Sequence, residues 1–172
     1  MTKRTRIVND PADLVPILQS FATEPHRKVF TALAGDWRSE DELKKSVGDN
    51  VQKSLQMLRR GGLLESKWRM PEPGKMPDKE YRSSYSAVLA HFQCSLDDLG
   101  DVVRVMFMTD KELEKIANAA IKEMKSGKKS VNNLCKSLGV SPTLLKGVAH
   151  ITSRFAVKGQ RVDIVEDKAK PK

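Results

Sequence analysis

A chain of 172 residues has room for one ordinary core or two small ones, and none for a large enzyme fold. Charged residues at 31% and hydrophobic residues at 39%, with only 5% aromatics, describe a globular helical protein whose core is Leu, Val, Ile and Met; no apolar run approaches a membrane span. A formal net charge of +9 makes a polyanion the natural partner, with a merely soluble basic protein as the rival account.

The charge is segregated along the chain. Between Lys122 and Arg161 stand Lys122, Lys125, Lys128, Lys129, Lys136, Lys146, Arg154, Lys158 and Arg161 against the single acid Glu123. From Ser95 to Glu114 the balance reverses, with Asp97, Asp98, Asp101, Asp110, Glu112 and Glu114 against Arg104 and Lys111. Cys94 and Cys135 are the only cysteines, and without a disulfide framework or a signal-peptide h-region the expected location is the cytoplasm.

Residues 1–9, with Lys3, Arg4 and Arg6 and no hydrophobic periodicity, read as a flexible basic arm, either a frayed terminus or a segment that tracks nucleic acid. Asp10 caps a first helix with Pro11 at its first position and a stripe of Leu14, Ile17, Leu18 and Phe21. A second helix over about Glu24–Leu33 presents Val29, Phe30 and Leu33, and Gly35 stops it. Ser39 with Glu42 three residues on is a capping box for a short helix with Leu43 and Val47 inward, closed by Gly48.

Asp49 or Asn50 caps the next helix, where Val51, Leu55 and Leu58 recur at i, i+4 and i+7. Its other face carries Lys53, Gln56 and Arg60, flanked by Gln52 and Arg59. Gln pairs with adenine, Arg is bidentate to guanine and Lys holds a phosphate, so this face has the chemistry of a recognition helix. An ordinary solvated helix face is the alternative.

Gly61 and Gly62 end that helix. Leu63–Met70 then alternates Leu64, Ser66, Trp68 and Met70 with Glu65, Lys67 and Arg69; Pro71, Pro73, Gly74 and Pro77 force a turn, and the alternation resumes over Lys79–Val88 with Tyr81, Ser83 and Tyr85. The order is that of a winged helix-turn-helix over Arg38–Val88. Lys67, Arg69, Lys75, Lys79 and Arg82 on the wing are candidate phosphate contacts, or charges that keep an edge hairpin from aggregating.

Ser95 with Asp98 and Thr109 with Glu112 open two further helices. One is striped by Leu96, Leu99, Val102, Val103, Met106 and Phe107, the other by Leu113, Ile116, Ala117, Ala120, Ile121 and Met124. Such stripes either pair two subunits or pack the two halves of one chain. Leu134–Leu144 then has the build of a second helix-turn-helix, with Ser141 as N-cap, Pro142 at the first position, and Leu144, Val148 and Ile151 repeating the stripe of Val51, Leu55 and Leu58. Phe155–Val165 suggests a short second wing. Ala149 on the outward face makes base reading weaker here, so Lys128, Lys129, Lys146, Arg154, Lys158 and Arg161 are expected on the phosphate backbone.

The expected fold class is therefore mainly α with small β-hairpin wings, as tandem winged helix-turn-helix domains. Its parts are the arm (1–9), an N-terminal winged-helix domain (10–94), connecting or dimerisation helices (95–125), a C-terminal helix-turn-helix domain (126–166) and a disordered tail (167–172). No CxxC or HExxH occurs, and His26, His91 and His150 are isolated, so neither metal nor cofactor is expected. Neither a phosphate-cradling Gly loop nor a catalytic dyad is present, and the chain does not read as an enzyme.

The stretches LQMLRRGGLLE (Leu55–Glu65), YRSSYSAVLAHF (Tyr81–Phe92), QCSLDDLGDV (Gln93–Val102), LGVSPTL (Leu138–Leu144) and VKGQRV (Val157–Val162) together resemble the ArsR-type winged-helix transcription regulators, in particular an archaeal, methanogen-associated group. The resemblance covers most of the chain and implies a DNA-binding regulator. It departs at the paired-cysteine metal motif of classical members, since Lys44 and Lys45 stand in that region, so metal-responsive derepression is not implied. The leading expectation is a regulator that binds double-stranded DNA, as a homodimer through helices about 95–125 or as a monomer. The alternative is a tandem winged-helix interaction scaffold of transcription or chromosome machinery with weak, sequence-blind DNA binding.

Overall fold

The computed structural model describes residues 4–71 and 77–165. The chain forms two compact units, Met1–Asn9 with Pro16–His91 and Asp10–Val15 with Phe92–Lys172. The expected tail over 167–172 lies outside the described residues.

The first unit contains β1 (Thr5–Val8), α1 (Leu14–Phe21, from Pro16 onward), α2 (Glu24–Leu33), β2 (Arg38–Ser39), α3 (Glu40–Val47), α4 (Val51–Arg60), β3 (Leu64–Trp68), β4 (Lys79–Ser83) and β5 (Ala87–Ala90). The capping box expected at Ser39 forms: Ser39 N–H donates to Glu42 Oε2 (2.8 Å) and Glu42 N–H to Ser39 Oγ (3.3 Å). Val51, Ser54, Leu55 and Leu58 of α4 are buried, and α4 packs on α2, where Val29 and Leu33 are buried. Each such aliphatic side chain contributes about 1.5–3 kcal/mol, which fixes the rotation of α4 about its axis.

The two glycines after α4 do different work. A Cβ on Gly61 would stand 2.9 Å from Ser20 Oγ, the hydroxyl that donates to Pro16 O (2.7 Å) and Met57 O (3.2 Å) and ties α1 to the end of α4. Gly62 carries the left-handed turn at φ 62° that sends the chain into β3. β3 and β4 pair antiparallel with Ser66 opposite Tyr81 and Lys67 opposite Glu80, and β2 adds to the other edge of β4.

Three expectations change here. Residues 5–8 are not a free arm, because β1 pairs in parallel with β5 from Thr5↔Ala87 to Val8↔Ala90 and buries Val8. Four residues show no period, and the partner strand lies far along the chain, so nothing local announces this pairing. The alternation over Lys79–Val88 is two strands, β4 and β5, separated where Ser84 N–H donates to Leu63 O (2.9 Å). α2 ends on Ala34, in helical conformation, before Gly35 is reached.

The second unit contains a 3-10 turn (Pro11–Asp13), α5 (Leu96–Phe107), α6 (Asp110–Lys125), α7 (Val131–Leu138), α8 (Pro142–Thr152), β6 (Phe155–Lys158) and the antiparallel β7 (Arg161–Ile164). Asp10 caps the turn through Ala12 N–H, Ser95 and Thr109 form capping boxes with Asp98 and Glu112, and Ser141 caps α8 with Pro142 at its start. Gly139 takes φ 63° at the α7–α8 turn.

A single core runs through this unit. It joins Val15, Val102, Val105, Leu113, Ala117 and Met124 to Leu134, Leu144, Leu145, Val148, Phe155 and Val162. Residues 95–125 and 126–166, expected as connector and separate domain, therefore share one interior, and Asp10–Val15 belongs to it rather than to the first unit. α8 lies at the centre, packed by α5, α6, α7, β6 and the Pro11–Asp13 turn. A Cβ on its Gly147 would meet Val105 Cγ1 at 3.2 Å, so the Val105 side chain of α5 packs directly on the backbone of α8.

Candidate nucleic-acid interface

With Val51, Leu55 and Leu58 held inward, α4 exposes Gln52, Lys53, Gln56, Arg59 and Arg60. Gln52 Nε2 donates to Glu40 Oε1 (2.9 Å), which orients its amide against α3. The Lys44 ammonium first, and the Gln52 amide after it, hold the Glu40 carboxyl below the usual carboxylate range. Lys53, Arg59 and Arg60 have no ion-pair partner among the described residues, so three cations and the Gln56 amide stand on the surface of one rigid helix.

That rigidity has a buried polar support. His26 on α2 lies behind α4 with Nδ1 2.8 Å from Ser54 Oγ, and Ser54 Oγ donates to Asn50 O (3.1 Å) in the first turn. Burial, and secondarily the charge of Lys53, push the His26 imidazole below its ordinary value, so it is held neutral.

The hairpin is organised differently. Arg69 Nε donates to Glu80 (2.6 Å) and Arg69 Nη1 to Glu42 (3.0 Å); Lys67 lies 3.5 Å from Glu80, and Arg82 Nη2 donates to Glu65 (3.0 Å). Lys67 and Arg82 also stand over the Trp37 ring, at 4.5 and 4.7 Å from its centroid, and Lys79 stands 5.5 Å from that of Trp68. The cations expected to face phosphates are thus already engaged with acids or rings of their own unit. Glu80 is buried, and Arg69 with Lys67 offsets its charge there. Lys75 lies outside the described residues.

Sequence reasoning missed Trp37 and the acids Glu65 and Glu80 as partners. Their only signal was the cross-strand register that sets Lys67 opposite Glu80 and Glu65 opposite Arg82, and register cannot be read before the turn is known.

In the second unit Lys128 pairs with Glu123 (2.6 Å), Lys146 with Asp10 (2.5 Å), Arg154 with Glu114 (2.5 Å) and Arg161 with Asp163 (2.8 Å). Lys129 and Lys158 are exposed and unpaired among the described residues, as are Lys122, Lys125 and Lys136. The expected outward face of α8 narrows to Pro142, Lys146 and His150, since Thr143, Leu144, Leu145, Gly147, Val148, Ala149 and Ile151 are all buried. Its acidic neighbour α5 turns Asp98 and Asp101 toward it: Thr143 Oγ1 donates to Asp98 (2.6 Å) and the Ser141 hydroxyl to Asp101. The Thr143 hydroxyl first, and the Ser95 hydroxyl after it, hold the Asp98 carboxyl below the usual carboxylate range.

Among the described residues no group of three or more His, Cys, Asp or Glu is placed to hold a metal, and no helix is long and apolar enough to cross a membrane. The chain is mainly α, and its helix α4 displays a basic face. It belongs to the ArsR transcriptional regulator family, whose model matches residues 8–166. Comparison with the curated proteins gave no match.

Proposed function

We propose that this ArsR-family chain is a sequence-specific DNA-binding regulator whose first unit acts as a winged helix-turn-helix, with α3 and α4 as the two helices and β3–β4 as the wing. α4 enters the major groove, where Gln56 and Arg60 reach base edges and Lys53 and Arg59 hold phosphates on either side. The observation that carries the reading is the contrast within α4 itself: one face is locked into the core while the other displays three unpaired cations and an amide.

Gln52, turned toward Glu40, contributes after that bond is exchanged for a base or phosphate. Lys67, Arg69, Lys79 and Arg82 on the wing reach the backbone at the cost of their internal partners, so their share is smaller than that of α4. In the second unit Lys129 and Lys158 are the better phosphate contacts, because Lys128, Lys146, Arg154 and Arg161 are paired. The order α7, α8, β6, β7 keeps the outline of a second winged helix, but α8 exposes little beyond Pro142 and the acid-paired Lys146 and His150, so it does not read bases. The resemblance of Leu55–Glu65, Tyr81–Val102 and Leu138–Leu144 to an archaeal, methanogen-associated group of the family supports reading the chain as one of that group.

The test is a Lys53→Ala, Gln56→Ala, Arg60→Ala variant titrated against duplex selected from a random pool. A loss of at least about 1–3 kcal/mol for the bidentate contacts is expected. The slope of log affinity against log salt should fall by about 0.9 for each phosphate contact removed. Equal binding by parent and variant would place the interface elsewhere. The rival reading, an interaction scaffold that binds DNA weakly and without sequence preference, draws on the exposed apolar residues of α5. It predicts equal affinity for selected and competitor DNA.

A further inference from the structure

The outer end of the β3–β4 hairpin carries two large apolar side chains in the open. Trp68 is 67% exposed and Met70 88%. The bond from Arg69 N–H to Asp78 O (2.8 Å) prolongs the ladder past β3, so Trp68 and Met70 alternate with Lys67 and Arg69 and share one face. With Arg69, Pro71 and Pro77 they line an open groove of about 540 Å³. Apolar residues scattered singly are normal on a surface; an indole and a thioether side by side on one groove are not scattered.

The charge around the groove points to what fills it. Lys67, Arg69 and Arg82 are held by Glu80, Glu42 and Glu65. Lys79 differs from them. Among the described residues it has no acid partner, and its ammonium stands 5.5 Å from the centroid of the Trp68 ring. The free chemistry of this end of the hairpin is therefore a flat apolar ring with one uncompensated cation beside it. A nucleotide matches both, since its base offers a face to stack on and its phosphate an anion, whereas an apolar protein segment would leave the Lys79 charge unanswered.

Reach gives the same partner. From Leu64, just after α4, to Met70 an extended chain spans about 20 Å at roughly 3.3 Å per residue. The major groove is about 12 Å wide, so with α4 inside it the end of the hairpin passes the phosphate ridge and lies over the adjoining minor groove.

We infer that Trp68 and Met70 form an apolar wedge that opens and kinks a base step of duplex DNA. Trp68 stacks on the opened step, Met70 fills the space beside it, and Lys79 reaches the neighbouring phosphate. The inference rests on the DNA-binding reading of the first unit. It adds a contact that senses how easily a step opens rather than which base edges it shows.

Trp37→Phe leaves Trp68 as the only tryptophan of the full chain. Titrated with duplex selected from a random pool, that protein should lose Trp68 emission over the same concentrations at which a mobility shift reports binding. Energy transfer between dyes on the two duplex ends should report a kink of about 20–90°. Trp68→Ala in the parent should weaken binding roughly fivefold or more and remove most of the kink, Trp68→Phe should keep most of both, and Met70→Ala should cost less. A stacked ring neutralises no phosphate, so the Trp68→Ala slope of log affinity against log salt should stay within about 0.9 of the parent's. The circular dichroism melt should not move, because the ring is mostly exposed. Binding of selected duplex with Trp68 emission unchanged, or a Trp68→Ala protein with the parent's affinity and bend, overturns the inference, leaves α4 as the reader and gives the groove to an apolar protein segment. A parent that binds no duplex overturns the DNA-binding reading and this inference together.

Discussion

α4 and α8 carry the same apolar spacing and end in opposite situations. Val51, Leu55 and Leu58 in one and Leu144, Val148 and Ile151 in the other are all buried. Between them, Gln52 and Gln56 of α4 are exposed, while the residues at the same places in α8, Leu145 and Ala149, are buried. The third matched pair shows the same division, since Lys53 is unpaired among the described residues and Lys146 holds Asp10. A stripe at i, i+4, i+7 says that a helix has an inner face; it does not say how many neighbours the helix will have. α8 is packed from several sides and becomes the centre of its unit, whereas α4 keeps a displayed face.

The sharpest way to break this comparison is to exchange matched residues. Leu145→Gln puts an amide with no partner into the middle of the second core and should destabilise that unit by at least about 3 kcal/mol. Gln52→Leu on the exposed side of α4 should change stability by no more than about 0.5 kcal/mol. Both tryptophans, Trp37 and Trp68, lie in the first unit, so their fluorescence follows it alone while far-ultraviolet circular dichroism follows the whole chain. If Leu145→Gln left the circular dichroism melt unchanged, α8 would not be the central helix described here.

The lysines give a smaller effect, each in a different one of two assays. Lys146→Ala removes a partly exposed ion pair to Asp10 and should lower stability by about 1 kcal/mol or less, without changing DNA affinity. Lys53→Ala should leave the melt unchanged and weaken DNA binding. Both melts and both titrations are needed, and a Lys146→Ala variant that binds DNA worse would restore α8 to the interface.

The smallest effect concerns the support behind α4. His26 titrates lower in the folded than in the unfolded chain, so the unfolded state takes up more protons as the pH falls below the ordinary value of 6.5. The stabilisation is complete above that value and is lost as pH falls from it through the folded pKa. The urea midpoint read by tryptophan fluorescence should therefore drop between about pH 7 and pH 5, and His26→Gln should flatten the dependence. A parent midpoint that is level across this window would show that His26 does not couple α4 to pH.

Much of this molecule is written in short stretches of the chain. The Ser39–Glu42, Ser95–Asp98 and Thr109–Glu112 capping boxes, the Ser141–Pro142 start of α8 and the inward residues of α4 depend on groups within a turn or two of each other. Local hydrogen bonds and helical period decide them before any tertiary contact forms. The candidate reading face was legible for the same reason.

Other features arise only when distant segments meet. β1 acquires its strand from β5, the hairpin cations lose their freedom to Glu65, Glu80 and Trp37, and residues 95–165 merge into one core around α8. The sequence by itself determined where helices start, which side of each is apolar and that one basic helix follows a capped one. Tertiary structure alone decided which apolar faces are covered and which charges stay unpaired, because burial and ion pairing belong to neighbours far apart in the chain, whereas capping and period belong to neighbours within it.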